Sequence, residues 1–382
     1  MSTPSSDPHP IPLTESEVLI RGWLAANPAL GSSLGPVATM TDRYTNQEWK
    51  SQIDETVKNV MKEVNSGERA RKLYEGPRMR NGEEALKELA KTVDHTVLKL
   101  DATSTQIDTL CSEARIEGFK SVCVRLNWVQ RCVADLRGTD IRVACVVGFH
   151  EGTQDLHSKL HEARAAVAAG ASELDVVLNH SILTRHNKAS LVPDRVLSSK
   201  DSAIDSITAA NTFRNTGSRD GEEDEIPDYS AIFTELASIR SLCPSPVTLK
   251  LILETSQLNT QQILAASHLA AAASFDFIKT STGFNGPGAT LPHVQLMVAA
   301  AESLASRGVG RRKMEVKASG GVRDLETAVK MLEAGATRLG TSSGLWIMQE
   351  ARQKVGEERG KQESEGRPGG GITRLYTDDS SY

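Results

Sequence analysis

Aromatic residues make up only 4% of this 382-residue chain, and no apolar run approaches the ~20 residues needed to cross a bilayer. A membrane-spanning helix is not expected. Cysteine is scarce: Cys111, Cys123, Cys132, Cys145 and Cys243 are odd in number and form no CxxC pair. That pattern argues against a disulfide framework and for reduced thiols in the cytoplasm. Basic blocks are missing too. With 44 Lys+Arg against 49 Asp+Glu and a net charge of −5, no stripe is available to track a phosphate backbone, so a small-molecule partner is expected and nucleic acid is not. The N-terminus, MSTPSSDPHPIPLTESEV, has neither a basic n-region nor an apolar h-region, which removes secretion and membrane anchoring from the expected functions.

What is present is a chain with 39% hydrophobic residues, enough for one large core or two modest ones. Residues 1–80 read as an N-terminal extension, a Ser/Pro-rich mobile arm to about 45 followed by a helical appendage near 46–64, where Trp49, Ile53, Val57, Val60 and Met61 fall at helical spacing. From about residue 84 the texture alternates. Strand-like runs occur at DHTVLKL, KSVCVRL, IRVACVVGF, ELDVVLN, VTLKLILE, FDFIKTS, MEVKAS and ATRLGTS, with helix-period segments between them. Eight such units predict an α/β fold, a (β/α)8 TIM barrel over 81–355. A doubly wound open sheet is the alternative, but the first strand is followed by LKLDATSTQ rather than a glycine-rich dinucleotide turn. The spacing breaks once, at 185–228, whose Ser, Asp, Asn and Gly content reads as a disordered surface insertion with helix resuming near Tyr229. Residues 356–382 read as a flexible tail.

Chemistry concentrates in the second half of this pattern. Lys279 ends the apolar run of FDFIKTSTGF. An amine that attacks a carbonyl must be neutral, yet an ordinary lysine with pKa ~10.4 is well under ~1% free base at neutral pH. Burial or a second cation corrects this. Lys317, in MEVKASGGVR one strand later, supplies such a cation at a similar strand end, the end where barrels carry their catalytic groups. Asp175 in ELDVV is a carboxylate within a strand and requires a partner there, either structural or as a proton carrier. Asp94 is a weaker candidate of the same kind, and Lys250 a mid-strand member of a supporting charge network. Phosphate is expected at the turns after the last strands, with Gly320 and Gly321 in SGGVRD and Gly340, Ser342 and Ser343 in LGTSSG, joined by Thr282 and Gly283 of STG. Together these imply a substrate with phosphate at one end and a carbonyl at the other. His157 and His161 lie four apart but read as a solvated helix face, so metal is not required. Cys123 reads as a buried structural thiol.

The motifs DHTVLK, VCVR, VVGF, ELDVV, FIKTSTGF, VKASGGVR and RLGTSSG resemble, in order and rough spacing, those of the deoxyribose-phosphate aldolases over about residues 90–350, excluding the insertion. The resemblance implies reversible cleavage of 2-deoxy-D-ribose 5-phosphate to acetaldehyde and D-glyceraldehyde 3-phosphate, without metal or organic cofactor. Carried over by motif, Lys279 forms the Schiff base, Lys317 perturbs its pKa and Asp175 takes part in proton transfer. The chain ends in SSY, and Tyr382 matches a C-terminal tyrosine that in some members folds back to assist proton transfer. Arg125-Leu126 stand where the family often has Asn-Pro, His150 where it has proline, and Phe284 where some members have lysine. The last change leaves more of the phosphate binding to backbone N–H groups. Other sugar-phosphate aldolases or transaldolases, and a non-catalytic sugar-phosphate-binding barrel, are the competing readings; a homodimer is allowed.

Overall fold

The computed structural model describes residues 13–31, 38–41, 43–185 and 226–365. Among the described residues, the helices of two turns or more that precede the barrel are α1 (Glu15–Ala26), α2 (Asn46–Asn65) and α3 (Glu83–Ala90), with one-turn helices at Pro28–Gly31 and Glu68–Arg71. Eight parallel strands follow, β1 (Val93–Thr96), β2 (Ser121–Val124), β3 (Arg142–Val147), β4 (Glu173–Val177), β5 (Thr248–Ile252), β6 (Phe277–Lys279), β7 (Glu315–Ser319) and β8 (Arg338–Thr341). They close in sequence order, with β8 paired to β1. The helices after each strand are α4 (Ser104–Glu117), α5 (Val129–Asp135), α6 (Leu156–Ala168), α7 (Tyr229–Leu242), α8 (Thr260–Ala272), α9 (Leu291–Ser306), α10 (Leu325–Glu333) and α11 (Gly344–Glu365). The expected TIM barrel is therefore the fold, and helix resumes at Tyr229 after the insertion, of which residues 186–225 lie outside the described residues.

Strand alternation divides the buried residues into two sets. Val122, Val124, Val143, Cys145, Val147, Leu174, Val176, Leu249 and Leu251 belong to the large core between strands and helices. Each such side chain stabilises by roughly 1.5–3 kcal/mol. The alternate positions face the barrel interior, where Leu98, Cys123, Ala144, Val146, Phe149, Val177 and Ile252 form a separate, smaller cluster. Helix starts are fixed locally: Thr14, Thr45, Thr103 and Asn259 each make a capping box with Glu17, Glu48, Gln106 and Gln262.

The extension differs from the sequence reading. Helix α2 is not an appendage but part of the outer layer, with Trp49 and Val60 fully buried. The Trp49 ring lies 4.8 Å from that of Phe233 on α7. The Thr56 hydroxyl lies 2.9 Å from His268 Nδ1 on α8 and accepts from Arg307 at 2.8 Å. Helix α1 falls within the stretch read as a mobile arm; its signal is the box Thr14-x-x-Glu17, hidden among Ser and Pro. At the other end α11 runs past the expected boundary at 355 to Glu365, because its Glu, Lys, Arg and Gln residues favour helix strongly enough to carry Gly356 and Gly360.

Candidate active site

Lys279 is the last residue of β6 and pairs in register with Lys317 of β7. Adjacent strands hold such a pair about 4.8 Å apart, so the two amines rise side by side on the interior face. Both reach one oxygen: Lys279 Nζ and Lys317 Nζ each lie 2.8 Å from Asp175 Oδ2. Asp175 Oδ1 accepts from Lys250 Nζ at 2.7 Å, and Lys250 also contacts Glu173 Oε2 at 2.6 Å. On its far side Lys317 meets Asp94 Oδ2 at 2.6 Å. Arg338 closes the network with Asp94 Oδ1 at 2.5 Å and Glu173 Oε2 at 3.3 Å, and Ser121 donates to Asp94 at 2.7 Å. All of these side chains are buried.

Charge counting decides the state of the amine. Four basic groups, Lys250, Lys279, Lys317 and Arg338, share three carboxylates, Asp94, Glu173 and Asp175. The interior is neutral only if one base is uncharged, and a surplus buried charge is expensive. Arg142 adds a contact to Glu173 at 3.7 Å, but from a half-exposed position where water screens it. Of the three lysines, Lys279 is the one whose pKa is lowered. Burial pulls its amine below the usual lysine range first, and the Lys317 ammonium adds to this against the attraction of Asp175. Lys317 moves the other way, since Asp175 and Asp94 together outweigh its burial and hold it protonated. Lys250 is likewise raised, with Asp175 and Glu173 overcoming the cost of burial. Asp175 stays ionised well below the usual carboxylate range because Lys250, Lys279 and Lys317 surround it, despite burial. A neighbouring cation thus contributes to the lowered pKa of Lys279, but removal from water comes first.

The expected phosphate residues divide by exposure. Gly283, Gly320 and Gly321 have φ of 85°, 82° and 77°, a region open to glycine. A Cβ on Gly320 would stand 2.9 Å from Gly288 Cα and 3.4 Å from Gly283 Cα, so the turns after β6 and β7 touch backbone to backbone. Gly283, Gly321 and Ser342 are exposed, and Ser342 and Ser343 lead into the N-terminus of α11. The Ser343 N–H donates to Thr341 Oγ1 at 2.9 Å. Gly340 serves another purpose: a Cβ there would lie 2.9 Å from Lys317 Cε, so glycine makes room for that lysine. Thr282 is buried, with N–H and hydroxyl both directed to Glu254. Phe284 stacks on His150 with ring centroids 5.2 Å apart. Tyr382 lies outside the described residues.

Sequence reasoning missed Glu173, Arg338 and Glu254. Glu173 stands two residues before Asp175 in one strand and so faces the same way, a period-two signal that was available.

Together these features define a (β/α)8 barrel built around buried amines. The DeoC/LacD family aldolase model matches residues 220–350. A curated Coccidioides immitis (strain RS) relative, deoxyribose-phosphate aldolase, is 40% identical over 264 residues, which is 69% of this chain and 81% of that one. A provisionally named deoxyribose-phosphate aldolase of known structure, also from Coccidioides immitis, superposes with a TM-score of 0.63 at 36% identity, covering 81% of this chain and 98% of the other. The tetrameric deoxyribose phosphate aldolase structure from Aeropyrum pernix matches with a TM-score of 0.54 at 25% identity, over 71% and 94% of the two chains. The chain belongs to the deoxyribose-phosphate aldolase family.

Proposed function

We propose that the chain is a carbon-carbon lyase that reversibly cleaves 2-deoxy-D-ribose 5-phosphate to acetaldehyde and D-glyceraldehyde 3-phosphate. The observation that carries this is the single carboxylate oxygen of Asp175 shared at 2.8 Å by two amines, of which Lys279 has its pKa lowered and Lys317 its pKa raised. Neutral Lys279 adds to the C1 aldehyde of the open-chain sugar, and loss of water gives a protonated imine. As the C3 hydroxyl gives up its proton, the C2–C3 bond breaks and its electron pair moves into the imine. That releases the three-carbon phosphate and leaves a two-carbon enamine. Protonation at C2 and hydrolysis return acetaldehyde and the free amine. Lys317, held as an ammonium, favours the neutral form of Lys279, and Asp175 lies between them as a station for protons. Tyr382 is proposed to assist at C2.

The phosphate end is assigned to Gly283, Gly320, Gly321, Ser342 and Ser343, with Gly340 and Thr282 shaping the surroundings. Five buried free thiols support a reducing, cytoplasmic setting, and among the described residues no helix is long and apolar enough to cross a membrane. For assembly we propose a homodimer, which sedimentation distinguishes from a tetramer.

Borohydride reduction in the presence of acetaldehyde or substrate, followed by peptide mapping, tests the chemistry. A reduced adduct on Lys279 is expected. Turnover with no adduct there overturns the assigned nucleophile, and sugar-phosphate binding with neither turnover nor adduct favours a non-catalytic binder.

A further inference from the structure

Glu254 follows β5 at the catalytic end of the barrel and is 1% exposed. Its backbone is left-handed, with φ 58° and ψ 60°, a conformation that a residue with a Cβ adopts at a cost and that tends to persist where function demands it. The residues on either side are tied to β6, since Leu253 N–H donates to Lys279 O and Thr255 N–H to Thr280 O, both at 2.9 Å. Between these ties the side chain reaches across to the turn after Lys279. One oxygen, Oε2, accepts the Thr282 hydroxyl at 2.5 Å and the Thr282 N–H at 3.3 Å. Thr282 Oγ1 in turn accepts the Phe284 N–H at 3.1 Å. A second grip lies close by, where Ser256 Oγ donates to Asn285 O at 2.8 Å.

These bonds consume the polar groups of Thr282 and fix where Gly283 sits. Gly283 borders Gly320 so closely that a Cβ on the latter would stand 3.4 Å from Gly283 Cα. We propose that Glu254 is a positioning residue that seats the turn 282–285 against the barrel wall, so that Gly283 and Gly320 present one continuous backbone surface to the phosphate end of the substrate. This rests on the aldolase reading above. The other carboxylate oxygen, Oε1, is buried with no hydrogen-bond partner among the described residues, so the bonds to Thr282 run through Oε2 alone. Burial also pushes the carboxyl upward, opposed by the two Thr282 hydrogen bonds and, after them, by Lys279 and Asn285.

The test uses the full chain with 2-deoxyribose 5-phosphate. Glu254→Ala should raise KM about tenfold while kcat changes by less than about threefold, the pattern of a lost binding contribution. Glu254→Gln keeps an oxygen able to accept both Thr282 bonds and should restore KM to within about threefold of the parent. Thr282→Val removes the hydroxyl donor and should raise KM by itself; combined with Glu254→Ala it should add little, because both break one contact. A fall in kcat at constant KM, a Gln variant as impaired as Ala, or fully additive effects would each overturn the proposal. If Glu254→Ala does not fold by circular dichroism, Thr282→Val carries the test, and an unchanged KM there sinks it. A parent protein that binds but never cleaves the sugar phosphate counts against the aldolase reading instead.

Discussion

The barrel interior has two sides of opposite character. Strands β4 to β8, with β1, contribute Glu173, Asp175, Lys250, Lys279, Lys317, Arg338 and Asp94, a closed network of ionisable groups. Strands β2 and β3 contribute Ser121, Cys123, Ala144 and Val146, which carry no charge and are small. The charged side holds itself in place through mutual attraction, since every carboxylate is shared by at least two bases. The uncharged side has no such internal support. Ser121 is tied to Asp94 at 2.7 Å, and above this side Arg125, which follows β2, lies over the Phe149 ring at 5.1 Å and donates to Leu98 O at 2.7 Å. Charge in a barrel therefore fixes positions at the cost of tolerance, whereas small apolar residues leave space and borrow their rigidity from neighbours.

Asp175→Asn should separate the two sides most strongly. It removes the anion common to three lysines and leaves surplus positive charge in a dry interior, so stability should fall by roughly 3–5 kcal/mol together with turnover. Denaturant melts should show the deficit shrinking as pH rises, because a lysine that loses its proton removes the surplus. A melt unaffected by this change would mean that the network is solvated and that the contrast with β2 and β3 is not one of charge.

Lys317→Met tests the field, with a smaller effect on folding. The neutral form of Lys279 is favoured by burial first and by the Lys317 ammonium second. Without that ammonium, and with Asp175 freer to attract a proton to its neighbour, the pKa of Lys279 rises. Activity is lost as pH falls through that pKa, so the acidic limb of the kcat/KM profile should move to higher pH. An unmoved limb would leave burial as the only cause of the lowered amine.

Much of the charged side was legible in the chain. Lys279, Lys317 and Asp175 each interrupt an apolar strand, and burying such a residue demands a partner. Asp94 and Lys250 were visible for the same reason, although not their shared contacts. Glu173 and Arg338 went unread because they open their strands, and attention to the catalytic ends passes over the opposite rim. Glu254 left no trace, since a left-handed backbone in a residue other than glycine has no signature in sequence. Helix α1 was obscured by composition: a Ser/Pro-rich context reads as mobile, and only tertiary contacts show that the barrel uses this segment.

Those contacts give the most delicate way to sharpen the comparison. Arg125 is 3% exposed, and its NH1 group donates to the Ser16 hydroxyl of α1 at 2.9 Å and to Phe149 O at 3.5 Å. Among the described residues none of its hydrogen-bond acceptors is a carboxylate, and burial lowers its pKa from the usual arginine value, with Glu162 and Glu151 opposing from further off. The roof of the uncharged side therefore depends on a neutral hydroxyl from outside the barrel. Ser16→Ala should destabilise by only about 1 kcal/mol, the net worth of one such bond plus part of the cost of an unpaired donor. Its functional effect should nevertheless fall on one side alone. The acidic limb set by Lys279 should stay in place, while KM rises slightly as Phe149 loosens. A shift of that limb in Ser16→Ala would show that the two sides are coupled through the barrel and that the division drawn between them is too sharp.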